Sequence, residues 1–361
     1  MTYKSPLLSR PGAVEGGGAD AGVAAHYGEP LREQRALAAG TAVVDLSHRG
    51  VVTVTGPDRL SWLNTLSSQQ VTNLPPRVSS ELLLLTVQGR IEFDARIVDD
   101  GQTAWLLVEA AEAAPLAEWL TRMKFMLRVE VADVSGEWAT VGSTKRVEAW
   151  ADRIIWEDPW PQVGAGGYSY SVVAEDLHPG LERPWFEYLI PAAELEDAVE
   201  GLALAGTLAS EALRIAAWRP RLGAETDERV IPHELDLLRT SVHLSKGCYK
   251  GQETIARVHN LGHPPRRLVF LQLDGSLHTL PVAGSDVLAA GRKVGTLTSV
   301  AQHYEMGAVG LALIKRSVDP AEVLAVQDGD ESYAAAQEVI VAPDAGQVVG
   351  RQSGFLKGPH R

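Results

Sequence analysis

The sequence predicts an α+β fold that ends in a small β-barrel, and three observations support this prediction. Residues 91–97 alternate apolar side chains with Glu92, Asp94 and Arg96, which is the period of a strand with one polar face. Residues 112–127 carry apolar side chains at spacings of three and four, which predicts an amphipathic helix. After Pro264-Pro265, short β-branched runs recur between Gly, Asp and Pro, a pattern typical of small barrels.

Length and composition exclude several classes of protein. A chain of 361 residues indicates two or three domains. Its net charge of −13 argues against direct nucleic-acid binding, because phosphate contacts depend on Lys and Arg. One cysteine excludes an internal disulfide and an autonomous iron–sulfur site of about four thiolates. No run approaches the roughly 18 apolar residues of a membrane span, and the N-terminus lacks a secretory signal, so we predict a cytoplasmic protein.

The remaining elements follow from local patterns along the chain. The N-terminal half predicts a flexible tail over 1–28, helices over 30–39 and 59–66, a strand over 51–55 and a hairpin over 82–97. Asp45 and His48 could form a catalytic pair, although such residues more often stabilise a turn. The Trp- and Pro-rich residues 136–206 predict a second lobe that ends in a helix over 192–204. Ser210 is the expected N-cap of a helix over 211–218.

A basic loop carries the only cysteine. Lys246-Gly247-Cys248-Tyr249-Lys250-Gly251-Gln252-Glu253 places the thiol between two glycines and two lysines. A nearby ammonium group favours the reactive thiolate, and glycine permits close approach of a partner. Residues 246–267 hold five Lys or Arg against one Glu in an otherwise acidic chain, which indicates an anion site. The alternative is that Cys248 is a small buried hydrophobe.

The motif Lys-Gly-Cys-Tyr-x-Gly-Gln-Glu, followed by Thr254 to Arg257, resembles the YgfZ-type folate-binding proteins. These are relatives of the T-protein, the aminomethyltransferase of the glycine cleavage system. Residues 213–220 resemble a second family segment, Leu-Arg-Ile-Glu-Ala-Gly-x-Pro, which borders folate in the relatives; Ala216 stands where that segment has Glu. Residues 291–299 resemble a motif of the T-protein barrel. Asp94 follows Phe93 where the transferases have paired aspartates.

The resemblance implies a three-lobed ring with tetrahydrofolate or a one-carbon derivative in the central opening. It implies a folate-binding domain over 29–135 and 207–262, a second lobe over 136–206, a barrel over 263–345 and a loose tail over 346–361. Cys248 and Lys246 are the expected catalytic residues. The expected folate contacts, with no metal ligands among them, are Asp94, Arg214, Glu234, Gly247, Tyr249, Gly251, Gln252, Glu253 and Arg257. Glu211 is a further candidate carboxylate.

Three functions remain open at this stage. The favoured one is a monomeric, folate-dependent accessory factor for synthesis or repair of iron–sulfur proteins, which supports tRNA methylthiolation indirectly. Cys248 would be its working thiol, and its partners would be folate and iron–sulfur client or assembly proteins, with no nucleic acid or membrane. The second is aminomethyl or methyl transfer to folate, so whether the chain is an enzyme is left open. The third is a cysteine hydrolase that pairs Cys248 with His233, His243 or His259.

Overall fold

The computed structural model describes residues 3–348, and in this part of the chain there are eighteen strands and six α-helices. In chain order they are β1 (Val14–Glu15), β2 (Ala24–His26), α1 (Pro30–Ala38), β3 (Ala42–Asp45), β4 (Gly50–Thr55), α2 (Arg59–Leu66), β5 (Ser79–Leu85), β6 (Ile91–Asp99), β7 (Thr103–Val108), α3 (Ala110–Met123), β8 (Glu130–Asp133), β9 (Trp138–Ser143), β10 (Ile154–Glu157), β11 (Phe186–Pro191), α4 (Leu195–Ala198), β12 (Ala203–Ala205), α5 (Thr207–Ala216), α6 (Gln252–Leu261), β13 (Arg266–Leu273), β14 (Asp286–Ala289), β15 (Arg292–His303), β16 (Gly307–Lys315), β17 (Leu324–Asp328) and β18 (Glu331–Val339). None of the described helices is long and apolar enough to cross a membrane.

The first sheet has the strand order β5-β6-β7-β4-β8 and is antiparallel throughout. The predicted hairpin is confirmed: β5 pairs with β6, and Gly89 in the turn has a φ of +73°. Helix α3 covers one face of the sheet and buries Leu116 and Leu120 completely. Because side chains alternate along β6, the opposite face receives Asp94 and Arg96, which line a cavity.

The second sheet has the order β10-β11-β9-β3-β12, in which only β3 and β12 run parallel. Strand β3 lies in this sheet and helix α1 packs against β3 and β12; the family resemblance implies that residues from 29 onward belong to the folate-binding domain. The predicted helix over 192–204 is wrong. It is replaced by a 3-10 turn (Ala192–Glu194), the single turn α4 and strand β12.

Six strands close the C-terminal barrel in the order β13-β16-β15-β14-β17-β18, with β18 pairing back to β13. The predicted barrel is confirmed. The β-branched run at 339–341 favours a last strand there, but the last strand spans Glu331–Val339. Alanines at 334–336 hid this strand, because Ala has low β-propensity and only its alternating burial marks the element. Helix α5 packs against β15 and β16 of the barrel and against β3 of the second sheet.

The N-terminal residues from 3 to 28 are packed onto the fold, in contrast to the predicted flexible tail. Leu7 is 1% exposed and joins the core of the second sheet, where it packs with Tyr188 and Val43. Ser5 donates a hydrogen bond to the buried carboxylate of Asp45. At the other end, the Val348 amide donates to the His259 carbonyl oxygen at 3.0 Å, so residues 346–348 of the predicted loose tail are attached. The rest of that tail lies outside the described residues.

Candidate functional site

Lys246 anchors the cysteine loop to a distant segment. Its ammonium donates hydrogen bonds to the carbonyl oxygens of Asn64, Ser67 and Gln69 at 2.5, 2.7 and 2.8 Å, so all three donors are used. Burial lowers the pKa of Lys246 to about 8. The thiol of Cys248 is exposed and free. The expectation that Lys246 activates the thiol is therefore not supported, since no N–H of the ammonium is left for the sulfur.

Other residues of the motif shape the loop. Gly251 has a φ of +87°, and a Cβ there would lie 2.6 Å from the Thr86 carbonyl oxygen. The Gln252 amide donates to the Lys246 carbonyl at 3.2 Å, and the Tyr249 ring lies 5.2 Å from the Lys246 ammonium nitrogen. These contacts within the protein account for the presence of Gly251, Gln252 and Tyr249 in the motif, so no ligand is needed to explain them. The remaining members are exposed: Gly247, Glu253 and Arg257.

Two of the three histidines proposed as partners of Cys248 are bonded elsewhere, and the buried Nδ1 of the third, His243, has no hydrogen-bond partner. His233 is fully buried with Nε2 at 3.1 Å from the Ile255 carbonyl oxygen, and burial lowers its pKa to about 3. His259 Nδ1 lies 2.8 Å from the Tyr170 hydroxyl. Within residues 3–348, no hydrogen bond joins Cys248 to a histidine, His243 included. A hydrolase needs nucleophile and base within hydrogen-bond reach, so this arrangement gives that hypothesis no support.

A narrow polar cavity of about 50 Å³ lies where the two sheets meet α5 and the residues that follow it. Asp94 and Arg96 come from β6, Trp156 and Glu187 from the second sheet, and Arg214 from α5; Cys248 is not in its wall. Burial, followed by the nearby Glu81 charge, raises the pKa of Asp94 well above its usual value. Burial therefore favours the uncharged form of Asp94 relative to an exposed aspartate.

Two expected folate contacts are occupied by the protein itself. Arg214 uses all five of its N–H donors, on Glu211, Glu225, Ser299 and the Arg219 carbonyl oxygen. It therefore ties α5 to the barrel. Glu234 is fully buried and accepts three hydrogen bonds from Arg266 and one from the Ile231 amide. Neither side chain has free bonding capacity for a pterin, although Arg214 borders the narrow polar cavity.

A second space, which we call the aromatic groove, measures about 360 Å³ and lies on the other side of α5. Its wall combines ring and acidic side chains, with one arginine: Trp218, His303, Tyr304, Glu182, Glu305, Glu338 and Arg183. His303 Nδ1 accepts the amides of Glu305 and Met306 at 3.2 and 3.1 Å. The other ring nitrogen of His303 is therefore the protonated one.

Comparisons with known proteins agree with this architecture. The family described as GCVT N-terminal domain matches residues 22–142, and the family described as CAF17, C-terminal beta-barrel domain, matches residues 266–337. In both segments the chain is similar to proteins of the T-protein superfamily. An aminomethyltransferase of Geobacillus kaustophilus is 27% identical over 343 residues, 88% of this chain and 92% of the relative. A putative chloroplastic transferase of Arabidopsis thaliana is 27% identical over 300 residues, 77% of this chain and 66% of that protein.

A solved structure shows the same fold. The glycine cleavage system aminomethyltransferase T from Bartonella henselae superimposes with a TM-score of 0.72 at 18% sequence identity. The match covers 94% of this chain and 96% of that one. The predicted fold class and family resemblance are thereby confirmed.

The aromatic groove was missed at the sequence level, although one signal for it was present. Ala216 lies in the groove wall, and Trp218 stands where the superfamily segment 213–220 has glycine. Trp218 has a φ of +58°, which explains why glycine suits that position. Its ring is 5% exposed and packs edge-on against His178, 5.3 Å between ring centroids. None of the predicted folate contacts lines this groove.

In the described part of the chain, no cluster of three or more His, Cys, Asp or Glu side chains is arranged to hold a metal ion.

Proposed function

We propose that this chain is a folate-dependent accessory factor for the synthesis or repair of iron–sulfur proteins and supports tRNA methylthiolation indirectly. Two features support the proposal. A GCVT N-terminal domain is combined with a CAF17 barrel in one chain. The motif around Cys248 resembles that of the YgfZ-type proteins, and Cys248 is free and exposed.

The aromatic groove is the proposed folate site, and its shape is the observation that carries this part of the proposal. A reduced folate is a flat pterin with several N–H donors, joined to a carboxylate-bearing tail. Ring-binding sites are typically about 300–1,000 Å³ and lined by aromatic side chains with a few polar groups. The groove measures about 360 Å³ and offers Tyr304 and Trp218 as ring contacts. The polar cavity, at about 50 Å³, is too small for a pterin.

Side chains of the groove match the polar groups of a pterin. The carboxylates of Glu182 and Glu305 can accept hydrogen bonds from ring N–H groups, and His303 can donate to a ring oxygen. Arg183 carries the positive charge that an acidic tail prefers. When bound, tetrahydrofolate or a one-carbon derivative would supply the one-carbon chemistry. The chain's own contribution would be to bind and orient the pterin.

Titration of the purified chain with tetrahydrofolate, followed by calorimetry, tests the folate site. Tyr304→Ala should weaken binding about two- to thirteenfold, because a ring–ring contact contributes about 0.5–1.5 kcal/mol. Phe125→Ala is the matched control, since that ring is 89% exposed and lies outside the groove. Absence of binding to the native chain, or equal affinities in both variants, would rule out this site.

The role of Cys248 is tested in cells. A deletion strain complemented with Cys248→Ser should show reduced activity of four-iron enzymes and reduced tRNA methylthiolation, whereas the native gene should restore both. Normal four-iron enzyme activity and normal tRNA methylthiolation in the deletion strain would rule out the accessory function. Reduced levels in the deletion strain together with normal levels in the Ser strain would support the accessory function but show that it does not need the thiol.

Aminomethyl transfer to folate is the second candidate, and it is favoured by the aminomethyltransferases among the relatives. Against it, one acid, Asp94, stands where the transferases have paired aspartates. The assay is formation of methylene-tetrahydrofolate from an aminomethyl carrier protein. Turnover by the native chain that is lost in Asp94→Asn would establish a transferase. The accessory role would then not be the primary function.

A further inference from the structure

An exposed apolar turn projects where helix α3 ends. We call residues 122–128 the α3 tip; its sequence is Arg-Met-Lys-Phe-Met-Leu-Arg. Phe125 is 89% and Met126 is 84% exposed, and Met123 and Leu127 are exposed as well. Scattered single apolar residues are normal on a protein surface, whereas a group of large ones marks an interaction site.

The backbone of the α3 tip keeps the Phe125 ring in solvent at the expense of strain. Phe125 has a φ of +41°, a left-handed conformation that is unfavourable for a bulky side chain. The turn is fixed on both sides of the ring. The Leu127 amide donates to the Lys124 carbonyl oxygen at 2.9 Å, and Arg128 donates three hydrogen bonds to the Asp58 carboxylate at 2.7–3.1 Å. Strain that brings no burial in return is typical of functional sites.

The charge of the α3 tip differs from that of the whole chain. The tip contains three cations and no acid, whereas the chain has a net charge of −13. Asp58 pairs with Arg128, and within residues 3–348 neither Arg122 nor Lys124 forms an ion pair. Aromatic side chains, Met and Arg are enriched at protein–protein interfaces. The composition of the tip therefore fits a protein partner whose apolar pocket is rimmed by carboxylates.

Helix α2 connects the α3 tip to the cysteine loop. Asp58, which holds Arg128, is the N-cap residue of α2. At the other end of this helix, carbonyl oxygens of its last turn and its C-cap accept hydrogen bonds from Lys246. The helix has eight residues and so spans about 12 Å. A protein bound at the tip is thus held near the loop that carries Cys248, which favours a protein over a lipid surface as the occupant.

We propose that the α3 tip is the docking surface for iron–sulfur client proteins, and that it inserts Phe125 and Met126 into an apolar pocket of the client rimmed by carboxylates. Arg122 and Lys124 pair with those carboxylates, and Phe125 is the apolar anchor, a role that a few large side chains fill at most interfaces. The inference rests on the accessory function proposed above and names the surface through which that function reaches its partner.

Calorimetric titration of the full chain with a purified four-iron enzyme that methylthiolates tRNA, in its cluster-free form, tests the proposal. Phe125→Ala should weaken binding about tenfold or more. Lys124→Glu should weaken it most at low salt, because salt screens the charge of the tip. Val323→Ala and Arg292→Glu are the controls, since they alter an exposed apolar side chain and an exposed cation of the barrel. No binding by the native chain, or equal affinities in tip and control variants, would overturn the proposal.

Two further measurements test the other occupants that an exposed apolar tip admits. Vesicles of phosphatidylcholine and phosphatidylglycerol serve as the anionic membrane surface, and sedimentation reports self-association. We expect the native chain to be monomeric and not to bind the vesicles. Vesicle binding or a dimer that is lost in Phe125→Ala would assign the tip to a bilayer or to a second copy of the chain, and would overturn the proposal.

The same variants separate this surface from the accessory function in cells. In the deletion strain, Phe125→Ala should give reduced four-iron enzyme activity, whereas Val323→Ala should restore it. Purified Phe125→Ala should unfold at the native temperature and keep the native affinity for tetrahydrofolate, because its ring is exposed and outside the aromatic groove. Full restoration by Phe125→Ala would overturn the docking surface and leave the accessory function in place. Normal activity in the deletion strain itself would overturn both.

Discussion

Replacing Lys246 by methionine removes an ammonium group but keeps a side chain of similar length. The three carbonyl oxygens of Asn64, Ser67 and Gln69 then lose their donor. A hydrogen bond to a charged group contributes about 1.5–3 kcal/mol, and the low end applies beside a surface loop, where water can replace part of it. Three such bonds predict a loss of about 4.5 kcal/mol in the free energy of unfolding. This is a large fraction of the stability of a typical domain.

Equilibrium unfolding in urea measures this loss, and Lys250→Met in the same loop is the matched control. Lys250 is exposed and forms one ion pair with Glu92 at 3.1 Å, so its replacement should cost less than about 1 kcal/mol. Thiol titration of the folded proteins adds a second readout, because a released loop should expose Cys248 more often. A Lys246→Met variant that unfolds like the control and reacts at the native rate would refute the anchoring role.

Burial raises the pKa of Glu112 to about 8 from 4.5, so the folded chain keeps a proton that the unfolded chain loses. The free energy of unfolding should therefore fall by up to ~1.4 kcal/mol per pH unit between about pH 5 and pH 8. Urea unfolding across that range should show that the free energy of unfolding falls less with pH in Glu112→Gln than in the native chain. Equal pH dependence in the two proteins would contradict this role of Glu112. Gly251→Ala should destabilise by about 1–3 kcal/mol, because its positive φ and the nearby Thr86 oxygen exclude a side chain. Gly247→Ala, with open space around it, should not destabilise; equal losses in thermal unfolding would count against the reasoning.

Local patterns were sufficient for many elements of the fold. The alternation along β6, the three-and-four spacing of α3 and the short strands after residue 264 all predicted elements that the structure contains. These patterns are local, because a sheet or core face imposes its own period on the side chains. The failures are physical too. Residues 3–28 lack an apolar run, and their single anchors, such as Leu7, are recognisable only once the second sheet is present.

The candidate site was harder to predict than the fold, because its contacts join distant residues. Arg219 pairs with Glu81, and Arg49 with Glu187, each across 138 positions of the chain. Asp94 was identified as a candidate from its place on a polar strand face, and it does line a cavity. Arg214 was expected to hold a ligand, but its five donors are taken by the protein. No pattern in the sequence distinguishes these two outcomes.

By itself the sequence determined many of the strands and helices, a small barrel of short strands after residue 264, and one thiol on a basic, glycine-flanked loop. Only the tertiary structure decided what the charged groups of these segments do. It placed the Lys246 ammonium on three carbonyl oxygens instead of beside the sulfur, and it gathered arginines from several segments around one small cavity. The reason is that periodicity acts over neighbouring residues, whereas a buried charge depends on every side chain that folding brings near it.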